Sequence, residues 1–294
     1  MQDNIMTLAD GRSLGYSDYG ASEGVPIFLF HGTPGSRVFG LEGEPIVKTY
    51  NLRIIAPERP GYGLSSPQPN REIQNWPADV SELADYLNIR QFHVAGESGG
   101  GPYVLACALA MPARIISATL IASAAPVDMP KFYKGMALGN RIGFFAAKYA
   151  PFLVKWLMKK FAQYFKKEPE KLLQKMISQF CESDQRLIKN AEGSSKENVL
   201  LRHIEEAFRQ GNDGHYQDFM LVSRSWYLDF NKLELPVFLW HGESDTLMPI
   251  SPVKTFATQI PNCEAHFIPG AGHLLLDDET TGKKIVERIL MISA

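Results

Sequence analysis

Gly96-Glu97-Ser98-Gly99-Gly100 sets a serine hydroxyl between two apolar segments. Gln91 to Ala95 reads as a short buried strand and Pro102 to Met111 as an apolar helix. A G-x-S-x-G run on a tight strand-to-helix turn holds the hydroxyl clear of the backbone, where it can attack a carbonyl carbon. Side chains at positions 96 or 100 would collide across so sharp a bend, which accounts for the flanking glycines. A serine hydroxyl alone is a weak nucleophile. It needs a base within hydrogen-bond reach, and the base needs an acid to orient it. His273, closing Pro269-Gly270-Ala271-Gly272-His273, is the candidate base, taking the serine proton and returning it to the leaving group. Asp245, closing His241-Gly242-Glu243-Ser244-Asp245, is the candidate acid that fixes the imidazole tautomer.

These groups act together only if separate strands deliver them to one place. Pro26–Phe30, Leu52–Ala56, Gln91–Ala95, Ile115–Ile121, Pro236–Trp240 and Ala265–Ile268 all read as apolar strands. The stretches Glu72–Leu87 and Gly99–Met111 read as helices between them. Alternation of this kind predicts a mostly parallel sheet with helices on both faces. Such sheets bind ligands beyond the carboxyl ends of their strands, and Ser98, Asp245 and His273 all fall there. Asn4–Leu8 and Ser13–Tyr19 flank Asp10-Gly11, a turn dipeptide that predicts an opening β-hairpin. From Pro126 to Phe230 no strand is evident, only helix-like segments. Roughly 105 residues are too many for a loop, so a helical cap is expected at 126–230, inserted between core segments 1–125 and 231–294.

The serine–aspartate–histidine order, the His31-Gly32-Thr33-Pro34-Gly35 loop after an apolar strand, and the Gly96-Glu97-Ser98-Gly99-Gly100-Gly101-Pro102 elbow resemble the α/β-hydrolase superfamily over nearly the whole chain. The likeness is greatest to cap-bearing, esterase-like serine hydrolases. It implies an α/β-hydrolase fold, an acyl-enzyme mechanism on a carboxylic ester, or less often an amide or thioester, and no cofactor. It also implies an oxyanion hole made by the backbone N–H groups of Thr33 and Gly99. Because some members place the acid one strand earlier, Asp128 is the alternative to Asp245. Serine at 98 departs from the aspartate of dehalogenases and epoxide hydrolases and from the cysteine of dienelactone hydrolases. The Glu97-Ser98-Gly99 elbow also departs from that of prolyl aminopeptidases. A prolyl-aminopeptidase-like amide hydrolase and a carbon–carbon bond hydrolase or lyase remain as alternatives on the same triad. A slow-turnover small-molecule receptor is the alternative of another class. Glu58-Arg59-Pro60-Gly61-Tyr62-Gly63, where relatives commonly begin with aspartate, reads as a structural loop in which Arg59 anchors neighbouring backbone.

Composition narrows the partners. A net charge of −2 disfavours nucleic acid. Three widely spaced cysteines give neither a disulfide framework nor a metal knuckle, and no H-E-x-x-H pairing is present, so no metal is expected. With no basic, apolar leader at Met1, the cytoplasm is the expected compartment. Phe132, Tyr133, Met136, Trp226 and Tyr227, near the two cap hinges, are the candidate lining of an apolar substrate pocket. Lys148 to Lys175 carries eight lysines among aromatic and aliphatic residues at helical spacing. It reads either as a lipid-touching surface or as a cap helix with its apolar face on the core, and the second is expected of any cap.

Overall fold

A strand whose side chains alternate between two packed faces must be largely apolar, and five strands of the computed structural model are buried over most of their length. The structure describes residues 4–40, 44–189 and 196–292. The strands are β1 (Asn4–Thr7), β2 (Ser13–Gly20), β3 (Val25–Phe30), β4 (Leu52–Pro57), β5 (Phe92–Glu97), β6 (Ile115–Ile121), β7 (Val237–Gly242) and β8 (Cys263–Ile268). They form one sheet in the order β1-β2-β4-β3-β5-β6-β7-β8. β1 and β2 pair antiparallel around the Asp10-Gly11 turn, and β2 pairs antiparallel with β4. Every later pairing is parallel.

The helices are α1 (Glu44–Thr49), α2 (Trp76–Tyr86), α3 (Gly101–Ala110), α4 (Leu138–Tyr149), α5 (Pro151–Lys167), α6 (Pro169–Ile177), α7 (Glu182–Lys189), α8 (Lys196–Ala207), α9 (Asp213–Val222), α10 (Ile250–Ala257) and α11 (Glu279–Leu290). The period of two in β3 sorts its side chains between two cores. Phe28 and Phe30 join α2, α3 and α10 on one face, packing with Val80, Leu83, Tyr103 and Phe256. Ile27 and Leu29 join α1 and α11 on the other, packing with Val47, Ile285 and Ile289. Each fully buried side chain of this size contributes about 1.5–3 kcal/mol of transfer free energy.

Two expected bounds move. The strand expected at Gln91–Ala95 runs on to Glu97, and α3 starts at Gly101 after a 3₁₀ turn at Ser98–Gly100. The helix expected from Glu72 starts as a 3₁₀ turn, Ile73–Asn75, before α2 begins at Trp76 with Pro77 in its first turn, where a missing N–H costs nothing. Between β6 and β7 the described residues hold six helices, α4–α9, and no strand. These helices have a small core of their own, with Phe165, Leu172, Ile177, Ile188, Ile204 and Phe208.

Candidate active site

Ser98 follows the last residue of β5 with φ at +52°, a left-handed conformation that a non-glycine residue adopts only where its surroundings over-determine it. The bend is as tight as the motif demands. A Cβ on Gly96 would come within 2.9 Å of the Gly100 carbonyl oxygen, and one on Gly100 within 2.6 Å of the Phe30 carbonyl oxygen. Gly32 lies against the elbow, where a Cβ would sit 3.4 Å from the Ser98 Cβ. A Cβ on Gly99 would be 2.8 Å from the Thr33 Cβ and 3.4 Å from its backbone nitrogen. The Thr33 and Gly99 backbones are therefore in direct apposition beside Ser98.

His273 Nδ1 is 2.7 Å from Asp245 Oδ2, with both side chains buried. The other Asp245 oxygen accepts from the N–H groups of Leu247 (2.8 Å) and Met248 (2.9 Å), which locks the carboxylate's orientation. Burial opposes ionisation of Asp245, but His273 outweighs it and holds the carboxyl below its ordinary range. Burial likewise pulls the His273 pKa down. The Asp245 carboxylate on Nδ1, with Glu97 and Asp184 behind it, overcomes that and raises it to about 9. An imidazolium at His273 is thus stabilised by its buried carboxylate partner. Burial pushes the Glu97 carboxyl, beside the serine, up to about 8. Asp128 is exposed in the loop after β6, whereas Asp245 is the carboxylate on His273.

Two further carboxylates enter the site from the helical insertion, and sequence reading missed both. Asp184 of α7 accepts from the backbone N–H of His273 (2.8 Å) and of Leu274 (3.1 Å), gripping the histidine loop. Asp218 of α9 accepts from Arg59 Nε at 2.7 Å, from the Tyr103 hydroxyl at 2.6 Å and from Arg71. All four groups are buried, and the two arginines hold the Asp218 carboxyl below its ordinary range against the pull of burial. Arg59 in turn donates to the carbonyl oxygens of His31 (2.6 Å) and Gly32 (2.7 Å). In a planar trans peptide the C=O and the following N–H point to opposite sides. Holding the Gly32 oxygen on Arg59 therefore turns the Thr33 N–H away from the guanidinium. Asp218 had one visible signal: it is the lone carboxylate between Tyr216 and the apolar run Phe219–Val222. Asp184 had none.

Three further histidines bond within the fold. His31 donates from Nδ1 to the Gly32 oxygen at 2.8 Å and accepts the Arg59 N–H at Nε2 at 3.2 Å. His93 bonds Ser117 Oγ, and His241 Nε2 bonds the Met248 oxygen. Glu58 accepts from the Arg37 guanidinium at 2.9 Å and the Leu64 N–H at 2.7 Å, fixing its loop. Among the described residues no group of three or more His, Cys, Asp or Glu is arranged to hold a metal ion.

A cavity of about 270 Å³ adjoins Ser98 and His273. Its insertion side is Met176, Phe180, Ile188 and Leu200, from α6–α8 and their connections. It then runs along the α1/α11 face of the sheet, past Ile27, Leu29, Ile54, Ala95, Val47 and Ile285. The expected lining lies elsewhere. Phe132, Met136 and Trp226 are buried in the core cluster on the opposite face, and Tyr133 packs against that cluster. Tyr227 is 80 % exposed at a positive φ. The hinge aromatics seal insertion to core, because the insertion's α6–α8 half, not its hinges, stands over the serine.

A family model described as alpha/beta hydrolase fold matches residues 25–280. A non-heme chloroperoxidase of Streptomyces lividans is 26% identical over 253 residues, covering 83% of each chain. A bifunctional esterase/perhydrolase of Acinetobacter calcoaceticus is 24% identical over 273 residues, covering 91% of this chain and 92% of its own. Among solved structures, an esterase from Exiguobacterium antarcticum superposes over 100% of both chains with a TM-score of 0.71 at 16% identity.

Proposed function

The chain belongs to the alpha/beta hydrolase fold family, and from that premise we propose that it is a serine hydrolase cleaving a carboxylic ester with an apolar acyl group. The observation that carries the reading is the buried His273–Asp245 pair opening, together with Ser98, on a cavity lined by aliphatic side chains. Ser98 Oγ attacks the ester carbonyl while His273 takes its proton. The oxyanion accepts hydrogen bonds from the N–H groups of Thr33 and Gly99, a role their apposed backbones beside Ser98 support. Collapse of the tetrahedral intermediate passes the proton from His273 to the leaving alcohol, leaving an acyl-enzyme at Ser98. Water, activated by the same imidazole, then releases the acid. Asp245 holds the imidazole tautomer throughout. The acyl chain lies along the sheet face among Ile27, Leu29, Ile54 and Ala95, where only dispersion and apolar burial select it.

The test is initial rates on p-nitrophenyl esters from acetyl to palmitoyl, with Ser98→Ala beside the wild type. Turnover should rise with chain length as the cavity fills, and Ser98→Ala should lower it by roughly a thousandfold or more with the fold intact. A variant that keeps most of its activity would remove Ser98 from the role of nucleophile. A rate that peaks at acetyl would remove the acyl chain from the cavity.

A further inference from the structure

An amphipathic helix of a cap is expected to turn its apolar side inward, and α4 and α5 do so with only part of theirs. On α4, Phe144 and Ala147 are buried. On the opposite side Leu138, Ile142, Phe145 and Tyr149, at i, i+4, i+7 and i+11, are exposed. On α5 the inner stripe is Val154, Ala162 and Phe165. A second stripe of Leu153, Trp156, Leu157 and Tyr164 faces solvent, with Phe152 at the helix start 78 % exposed and Trp156 55 % exposed. The expectation that this segment's apolar residues all pack on the core is corrected accordingly: the two helices carry more apolar surface than the core beneath them can cover. The two outward stripes sit on neighbouring, contacting helices.

Charge identifies what would cover them. From Leu138 to Lys167 there are seven basic residues, Arg141 and six lysines, and no acidic residue, in a chain whose net charge is −2. All seven are exposed. None forms an ion pair within 4.0 Å among the described residues, and Lys148 and Lys160 lie over the rings of Tyr149 (5.3 Å) and Trp156 (6.0 Å). Lysines that lean along aromatic rings keep their ammonium groups in water while their stems cover apolar surface. Trp and Tyr between lysines suit the headgroup boundary of a bilayer, with the apolar residues just below it. A second copy docked on this face through a two-fold axis would press the same uncompensated charge against itself.

We propose that the outward face of α4 and α5 docks on an anionic phospholipid bilayer. Aromatic and aliphatic side chains enter the interface and the lysines meet lipid phosphates. Docking is independent of the hydrolytic reading, since no residue of either helix lines the cavity beside Ser98. The experiment is co-sedimentation of the full chain with vesicles of phosphatidylcholine alone or mixed with phosphatidylglycerol, at low and high salt. The wild type should sediment with the anionic vesicles and be released by salt. Lys155→Glu/Lys159→Glu/Lys160→Glu should lower partitioning by roughly a hundredfold, given the attraction of each basic side chain to an anionic surface. Phe152→Ser/Trp156→Ser/Leu157→Ser should lower it as well. Both variants should keep the wild-type circular dichroism and the wild-type rate on a soluble short-chain ester. No sedimentation with anionic vesicles, equal sedimentation with neutral ones, or variants that bind like the wild type would each overturn the proposal. A dimer in solution that the Trp156 variant dissolves would overturn it in favour of a second copy.

Discussion

In α7 and α9 the carboxylates of Asp184 and Asp218 are buried, each holding a loop of the core by two or more hydrogen bonds. In α4 and α5, part of the same insertion, rings and aliphatic chains face outward and every basic side chain is solvated. The insertion is therefore more than a cover. One part of it is wired to the loops of His31–Gly35 and His273 by charge-assisted hydrogen bonds, which are directional and fix geometry. The other part is free of such ties and keeps a surface whose chemistry suits a lipid interface. Buried polar atoms in an insertion therefore mark where it acts on the site, and exposed apolar ones mark where it meets something else.

The largest effect expected from breaking this contrast is at Asp218. Asp218→Ala leaves Arg59 and Arg71 buried without their counter-charge and should cost about 3–5 kcal/mol, read as a fall in the urea midpoint at unchanged slope. A change under half that size would mean the arginines find other partners, and the grip of α9 on the His31–Gly35 loop would be weaker than its geometry. Asp184→Asn comes next. The two N–H groups of His273 and Leu274 bond separate carboxylate oxygens, so the single amide oxygen keeps one of them and loses the other, and a negative charge near the imidazole is gone. That charge helps hold the His273 pKa above its ordinary value. Without it the imidazole becomes neutral, and so a competent base, at lower pH. The acidic limb of kcat/KM should accordingly move to lower pH. A limb that stays in place while the rate drops would restrict Asp184 to holding backbone. The smallest effect is expected in α5, where Trp156→Ser should change stability by about 0.5 kcal/mol or less and leave soluble-ester turnover as it was. A loss of several times that would mean the ring packs within the folded chain.

The strand ends that carry the proposed triad were legible because each has a local signal. Ser98 sits in a glycine-rich turn after an apolar run, and Asp245 and His273 close similar runs. Parallel strands buried on both faces read as continuous apolar segments, so the chain order of the three groups could be read directly. The pocket was not legible. Nearness to a hinge in sequence suggested Phe132 and Trp226, but hinge aromatics have two surfaces to seal and were taken up by the core on the far face. Nor could helical spacing tell which of two apolar stripes on α5 turns inward, since both have the same period.

The sequence was enough for the sheet, the proposed reactive groups and the order in which the strands deliver them, because these depend on residue type and local periodicity. Tertiary structure alone decided that Asp218 reaches Arg59 across 159 positions, that Asp184 reaches His273 across 89, that the cavity runs under the α1/α11 face, and which faces of α4 and α5 stay outside. Such contacts depend on how separate elements are brought together, and no local pattern of residues encodes the distance between them.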